Sequence, residues 1–536
     1  MTQQPSVLIA GAGPTGLMMA CELSRYGISY RIIDRKEGRT QTTNAAGIHT
    51  RTLEIFHHIG IVDRFLQKGQ RWTAFRLHSQ DELMARVPFN HIDSFYKFSL
   101  LLAQSETEKI LNERLEELRG HVEWQVELID FKQIDEKVVS TVKYTDGRTE
   151  TIESDWLVGC DGIHSIVREQ SKIPFTGEDI AQEYLVADVQ LEGPIDDEAD
   201  VFLGKKNMLA IFPLGGGTYR IVATAEGTEV KKVFTNDEVK NIVENRCGHK
   251  YQVTAILWSS AFWIHSKIAG KMREGSVFIG GDAAHVHSPA GAQGMNTGLQ
   301  DIYNLAWKLA LVINGKAKPR LLDSYEAERL PVIDEIVSKT ESITKAAFLE
   351  NPLLIKLREV VAKTIIGHSN FLLEKLGSQL TQLSISYQHS PVIDYHTDIK
   401  SHSAPMPGER APDVVINQQS ERLYNYLQNT QYNLLLFSGH NISDVKLAQL
   451  QEIIEWIEQD YPDTIKAHLV SFAKIAEIKN IITDEQFKIH NRYHIDDSGL
   501  YLIRPDHYIA FCRREIDKNA LREFIIGTAN LIKHHL

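Results

Sequence analysis

The first apolar run of the chain lies in residues 6–10 (SVLIA) and ends at Gly11. A run of that length without alternation predicts a strand buried on both faces. Residues 15–26 then repeat apolar side chains at helical spacing and stop before Gly27, a helix with glycine just past its end. Residues 29–34 (SYRIID) return to strand character, so the chain opens as a βαβ unit of a parallel sheet. Ser105 followed by Glu108 predicts a capping box for a helix over 104–119. Residues 121–160 alternate and carry the turn pair Asp146-Gly147, which predicts hairpins. Strand-like alternation continues over 175–265 around a glycine turn at 215–217, as a separate sheet. A buried strand recurs at 276–280. Leu299, Ile302, Ala306, Leu309 and Ile313 then mark a helix from about 296 to 313, with Thr297 (or Asn296) and Gln300 as its capping box and more helix to about 378. Residues 385–412, with Pro405, Pro407 and Pro412, read as a linker. Beyond it YNLLLFSG and IKAHLVSF predict strands, 444–458 a helix, GLYLIRPDHYIAFCRR a hairpin and 518–533 a final helix. That order fits a small α/β domain of thioredoxin-like type.

A length of 536 residues exceeds one ordinary core and implies about two to four domains. The net charge of −12 argues against nucleic acid as a partner, because such binding rests on a basic face. Cys21, Cys160, Cys247 and Cys512 are far apart and form no C-x-x-C pair, so no disulfide framework and a reducing compartment are expected. No apolar run reaches the roughly 18 residues of a membrane span. The amino-terminal apolar run has no preceding basic residue and is broken by glycines and Pro14, unlike a signal peptide. A cytoplasmic protein is the expectation. His285 and His287 lack a third metal-ligand partner nearby, so no metal site is expected.

Three stretches carry chemistry. Gly11-Ala12-Gly13-Pro14-Thr15-Gly16 fits G-x-G-x-x-G between a strand and a helix, and the next strand ends on Asp34 at close to the expected spacing of about 20 residues. Gly11 permits the tight turn, Gly13 lets a pyrophosphate approach the backbone, and Gly16 lets helix and strand pack. The helix N-terminus offers unpaired N–H groups to phosphates, and Asp34 can accept from ribose hydroxyls. This leaves NAD and FAD both open. The second stretch, VFIGGDAAHVHSPAGAQGMNTG (277–298), ends a strand on Gly281-Asp282 and runs a glycine-rich loop into a helix. Asp282 can hold a polyol hydroxyl, and the N–H groups of about 294–297 suit the anionic pyrimidine edge of a reduced isoalloxazine. The third, CDGIHSIVR (160–168), sets Asp161 at a strand end and Arg168 on the helix after it.

Together these stretches resemble the FAD-dependent aromatic hydroxylases of the p-hydroxybenzoate hydroxylase and phenol hydroxylase type. GIHTRTLEIF, LLAQSETEKIL, GLQDIYNLAWKL and LLDSYEAER are similar as well, so the resemblance covers most of the chain. Ala292 departs from it, since the family commonly has glycine there. PGERAPD and LIRPDHYIAFC resemble the thioredoxin-like tail of the longer members, here with Cys512 alone and therefore without dithiol exchange.

The resemblance implies an α/β and α+β fold: a Rossmann-like FAD domain over 1–175 and 269–384, an inserted substrate-binding sheet over 176–268, a linker over 385–412 and a thioredoxin-like domain over 413–536. It implies FAD held by Gly11, Gly13, Pro14, Thr15, Gly16, Asp34, Arg35, Arg51, Gln104, Asp161, Arg168, Gly281, Asp282, Pro289, Gly294, Met295 and Asn296. Arg51 and Gln104 lie along the phosphate and ribityl region, Asp161 and Arg168 serve FAD and the nicotinamide donor, Pro289 sits over the flavin where oxygen reacts, and Ala46 and Gly47 lie beside the mobile ring. No second dinucleotide fingerprint exists, so NADH or NADPH docks transiently as reductant. The implied reaction is NAD(P)H- and O₂-dependent hydroxylation of a phenolic or polycyclic aromatic substrate through a C4a-hydroperoxyflavin. Pro289, Arg220 and Tyr219 are its catalytic candidates, and Phe212, Pro213, Phe262 and Trp263 further roof positions. A tailoring or antibiotic-inactivating monooxygenase (Baeyer–Villiger or epoxidising) and a non-catalytic FAD-holding protein stand as alternatives. The chain is expected as a monomer or homodimer.

Overall fold

The computed structural model describes residues 4–40, 47–79, 82–194, 196–204, 207–225, 234–287, 291–347, 369–396, 404–440, 443–475 and 478–534. Val7–Ala10 lies inside a six-stranded sheet in the order Arg273–Glu274, Val277–Ile279, Trp156–Gly159, Val7–Ala10, Tyr30–Asp34, Glu123–Trp124. All neighbours are parallel except the hairpin at 273–279. The unbroken apolar run is explained by burial on both faces: all four residues of Val7–Ala10 lie inside the largest core. The helix Pro14–Arg25 follows it, with Pro14 in the first turn, where an N–H would have no intrahelical partner. The long helix Gly294–Ile313, buried from Asn296 to Leu311, packs against Pro14–Arg25. Parallel order places Ala10, Asp34, Gly159 and Ile279 at one edge of the sheet, the edge at which open α/β sheets bind ligands.

The alternating segment 121–160 contains a three-stranded antiparallel sheet, Val126–Ile134, Lys137–Tyr144 and Thr149–Ser154. The second large sheet is wider than the 176–268 expected from sequence. It has eight strands in the order His285–Val286, Gln252–Ala269, Phe175–Glu192, Thr218–Thr224, Met208–Gly215, Glu198–Leu203, Ala74–Ser79, Glu82–Pro88. A hairpin from the amino-terminal region thus completes an edge of the sheet, through a parallel pairing of Ala74–Ser79 with Glu198–Leu203. No local pattern announces such a long-range pairing.

Two helix starts differ from the expected capping boxes. The helix Gln104–Glu117 begins before Ser105, has Ala103 at its cap and receives no side-chain cap. Glu108 instead accepts from the Thr40 N–H and from Gln104 Nε2. The helix Gly294–Ile313 starts before Asn296 and Thr297, with Gln293 uncapped at its N-cap position. Its first N–H groups therefore stay available.

The carboxy-terminal sheet runs Ile481–Thr483, Ile465–Ser471, Tyr432–Phe437, Gly499–Ile503, Ile509–Arg513, three parallel strands followed by an antiparallel hairpin, with the helix Asp444–Asp460 as the crossover. The final helix is shorter than 518–533. Lys518–Glu523 passes into a wide turn over Phe524–Thr528, and Leu531 then bridges to Ala317 of the first domain. Among the described residues no helix is long and apolar enough to cross a membrane.

The segment read as a linker is packed where it is described. Tyr387, Ser390, Val392, Ile393, Ala404, Arg410 and Ala411 are buried. Arg410 reaches Glu54 and Asp93 of the first domain. The seam beneath it holds a fully buried ion cluster. Arg504 forks onto both oxygens of Glu328 at 2.6 and 2.8 Å and onto Asp506 at 2.9 and 2.6 Å, while Lys308 reaches Glu328 at 2.7 Å. Burial pulls the Lys308 ammonium down to about 8, and Glu328 is held well below the usual carboxylate range by Arg504 and Lys308 against the effect of burial.

The same seam buries neutral histidines. His58 donates from Nε2 to the Asn429 carbonyl and accepts at Nδ1 from the Tyr303 hydroxyl, and its ring meets His507 at 4.4 Å. Burial holds both far below the ordinary histidine value, and it also lowers His49 to about 4 and His468 to about 3. In the unfolded chain each takes up a proton near pH 6.5, so the unfolded state binds more protons below that value and stability falls as pH falls. Each group costs about 1.4 kcal/mol per pH unit between about 6.5 and its folded value. The urea midpoint is expected to hold between pH 8 and 7 and to drop steeply from pH 6.5 to 5; a flat midpoint over that lower range would contradict it.

Candidate functional site

The carboxyl edge of the parallel sheet opens into a cavity of about 1000 Å³ that continues under the eight-stranded sheet. At one end Gly11, Gly13, Pro14, Thr15, Asp34 and Arg35 line it. Gly11 sits at φ +100°, and a Cβ there would lie 2.3 Å from the Cys160 carbonyl oxygen, so only glycine lets the two strand ends close together. A Cβ on Gly13 would meet no protein atom within 4 Å. The space that glycine leaves belongs to the cavity, as an approaching pyrophosphate requires. Asp34 accepts from the Ala12 N–H at 2.8 Å and the Lys36 N–H at 2.9 Å, one on each oxygen, which leaves a lone pair on each for ribose hydroxyls. Arg35 is exposed and only loosely paired, 3.7 Å from Glu127.

Midway, Gln104, Glu108, Asp161 and Asp282 face the cavity. Asp161 accepts from the Val167 N–H through Oδ2, while its buried Oδ1 has no partner among the described residues, and burial raises its carboxyl. Asp282 is exposed to the cavity yet lies deep within the protein, and that depth also raises its carboxyl. Two carboxylates short of hydrogen bonds around an elongated cavity fit a ligand that brings hydroxyl donors. Gly294 and Met295, the first residues of the twenty-residue helix, line the next stretch together with Ala292 and Gln293. An open glycine turn, polyol-length acceptors and a free helix N-terminus occur in the order that a dinucleotide with a flavin head requires, so the residues present fit FAD.

Four of the expected site residues lie elsewhere. Arg51 is buried away from the cavity, donating to Glu54 at 2.9 Å and to the Asp506 carbonyl at 2.8 Å across the domain seam. Arg168 donates to the Ala283 and Ile163 carbonyls, which ties the Asp161 and Asp282 turns together from behind. Asn296 accepts from the His49 N–H and donates to the Gly47 and Ala292 carbonyls, so it braces the loop and does not line it. Tyr219 points to the opposite face of its strand, into the core with Tyr251, because neighbouring strand residues face opposite ways. Gly16 and Gly281 shape the turns without lining the cavity. Pro289 and Ala46 lie outside the described residues, as do the side chains of Phe262, Trp263 and His265.

At the far end the cavity becomes apolar. Val186, Phe212, Val222, Trp258 and Ala261 line it, with Ser260, His287 and Arg220 as polar members; Pro213 does not take part. His285 faces away and pairs with Asp301 at 2.8 Å. Arg220 lies opposite Asp188 in the strand register and forks onto it at 2.8 and 2.9 Å. Its third nitrogen, Nη1, is buried and has no partner among the described residues. Sequence reading missed Glu108, Val186, Val222, Trp258 and Ser260. Glu108 lies on the helix Gln104–Glu117, and for the other four the alternation along strands was visible, but which face met a cofactor depended on the register between distant strands.

The FAD binding domain family model matches residues 4–340. The chain is 32% identical over 526 residues to 6-methylpretetramide 4-monooxygenase of Streptomyces rimosus, covering 94% of this chain and 90% of that one. It is 30% identical to pentachlorophenol 4-monooxygenase of Sphingobium chlorophenolicum, covering 96% and 95%. Among solved structures, the OxyS anhydrotetracycline hydroxylase from Streptomyces rimosus superposes with a TM-score of 0.76 at 25% identity over 98% of this chain and 99% of that one. Aklavinone-11 hydroxylase, solved with FAD and aklavinone, shares the fold with a TM-score of 0.76 at 22% identity over 99% and 100%. Matched in sequence over its first 340 residues and in fold over nearly its whole length, the chain belongs to the FAD-binding-domain family of flavin-dependent monooxygenases, with FAD as its cofactor.

Proposed function

We propose that this monooxygenase hydroxylates a phenolic or polycyclic aromatic substrate at the expense of NADH or NADPH. One observation carries the reading: the cavity is continuous from the nucleotide turn to an apolar wall that carries the cation Arg220, whose Nη1 has no partner among the described residues. The relatives, named for a pretetramide and a chlorophenol, agree with a flat aromatic substrate bearing an oxygen substituent. Bound FAD supplies the two-electron redox chemistry and the activation of O₂.

The chain's own residues do the rest. Gly13 and the N-terminus of Pro14–Arg25 would hold the pyrophosphate of FAD, and Asp34, Asp161 and Asp282 would accept from its hydroxyls. Gly294 and Met295 would offer N–H groups to negative charge on the flavin. Phe212, Val186, Val222 and Trp258 give the far end an apolar lining that excludes water. Arg220, held rigid by Asp188, donates from Nη1 to the substrate oxygen and favours its anionic form, which activates the ring for attack. The sequence has no second G-x-G-x-x-G, so the reductant docks transiently at the cavity mouth.

The experiment is a screen of phenols and polycyclic aromatics that records NAD(P)H oxidation, peroxide release and ¹⁸O incorporation together. Coupled turnover with one labelled oxygen atom in a ring hydroxyl is expected. Label in a ring-expanded ester or an epoxide would replace hydroxylation with the other oxygenation chemistries, and no substrate-stimulated NAD(P)H oxidation would defeat the enzymatic reading. In R220Q, FAD content should stay unchanged while kcat/KM for a phenolic substrate falls about 100-fold, the range expected for loss of a charge-assisted contact in a dry site.

A further inference from the structure

Asp282 points into the cavity from the short turn Gly281–Ala283, whose far end Arg168 holds through the Ala283 carbonyl and whose near end begins at the Gly281 N–H. Gly281 lies at φ +63°, and a Cβ there would come within 2.6 Å of Thr15 Oγ1, so the turn is squeezed against the nucleotide-binding helix. Behind the turn stands Asp301, completely buried on the long helix Gly294–Ile313. Its Oδ2 accepts from the Gly281 N–H at 3.1 Å and from His285 Nε2 at 2.8 Å. Its Oδ1 accepts from Arg329 Nε at 2.8 Å. Arg329, also fully buried, donates onward to the Tyr387 hydroxyl at 3.0 Å and to the Thr297 carbonyl at 3.3 Å.

We propose that Asp301 is the positioning residue of the cofactor turn: its carboxylate fixes the Gly281 N–H and so sets where Asp282 presents its oxygens to FAD. The role needs a carboxylate. Three donors converge on it from three directions, two on one oxygen and one on the other. An asparagine has the same shape, but its NH₂ group would face either Arg329 or the Gly281 and His285 donors, and donor would meet donor. Relief requires the turn to move, and Asp282 moves with it. His285 takes part as a buttress, with its ring edge against the carboxylate and its Nδ1 unpartnered among the described residues.

The inference rests on Asp282 being part of the cofactor site, so the test measures both. FAD dissociation constants of the refilled full-length apoprotein are compared for the parent, D282A, D301N, H285Q and D200N, by quenching of flavin fluorescence well below each melting temperature. Asp200 is a control of similar kind: a buried carboxylate holding Arg76, His78 and Tyr251 in the other sheet, away from the cofactor. D301N is expected to weaken FAD at least tenfold and to make the flavin reduction potential more negative, whereas D200N melts earlier with FAD affinity within twofold of the parent. H285Q, which keeps the Asp301 charge paired, is expected to fold and to weaken FAD about threefold; it decides the matter if D301N does not fold. Unchanged affinity and potential in D301N, or in folded H285Q when D301N is insoluble, would overturn the proposal. Unchanged affinity in D282A would instead remove the site reading on which it stands.

Discussion

Gly11→Ala is expected to lose at least about 4 kcal/mol of stability together with all FAD retention. The left-handed conformation at φ +100° costs a side chain about 1–2 kcal/mol, and the added methyl would lie 2.3 Å from the Cys160 carbonyl oxygen, with the Cys160 carbon at 2.6 Å. Both obstacles are backbone atoms of the neighbouring parallel strand and cannot swing aside. Strand ends that must part to admit the methyl also lose the Cys160 N–H to Ala10 carbonyl bond of 2.7 Å. Gly13→Ala separates folding from binding at nearly the same place. Its methyl meets no protein atom, so the apoprotein should unfold within about 0.5 kcal/mol of the parent, while FAD affinity drops tenfold or more because the methyl occupies the pyrophosphate's space. Urea unfolding of the apoproteins and FAD titration read the two effects independently. A G13A protein that binds FAD as tightly as the parent would show that the phosphates lie elsewhere.

Arg504→Met should destabilise the whole chain by about 3–5 kcal/mol, the range for removing one partner of a buried ion pair. The side chain that replaces it fills much of the volume but leaves the Glu328 and Asp506 carboxylates with unanswered charge in a seam where both partners are fully buried. Lys308 can compensate Glu328 alone, not both acids. The double variant E328Q/R504M should lose less than the sum of its parts by about 1–3 kcal/mol, because the two side chains share one interaction. Strictly additive losses would mean that the cluster does not couple the domains. At the same seam the carboxy-terminal segment supplies Arg504 to Glu328 and the Asp506 carbonyl to Arg51, while Cys512 is buried and takes no part.

Much of the nucleotide end was legible in the residues themselves. A βα turn has one backbone path, and Gly11, Gly13 and Asp34 are spaced by that path alone, so their cavity positions follow from local order. Asp161, Asp282, Gly294 and Met295 were legible for the same reason, each standing at a strand end or a helix start. The residues that went astray share a different feature. Arg51, Arg168 and Asn296 carry long or multivalent side chains whose direction is set by what lies across a packing interface, and in each case that neighbour comes from a remote segment: Asp506, Ala283 and Gly47. Tyr219 failed by a single residue of strand phase, since its neighbour Arg220 is the one that faces the cavity.

Local sequence, through glycine conformations and the apolar periods of strand and helix, therefore determined the parallel sheet, its phosphate-ready turn and the two acid-bearing strand ends. Tertiary structure alone decided that the strands Ala74–Ser79 and Glu82–Pro88 complete one edge of the eight-stranded sheet, that Trp258 and Arg220 share one wall, and that the Gly281 N–H before Asp282 meets Asp301. The reason is range: backbone conformation is chosen within a few residues, whereas strand register and buried charge pairing are chosen by partners hundreds of positions away, where the desolvation of each charged group leaves one arrangement far below the rest.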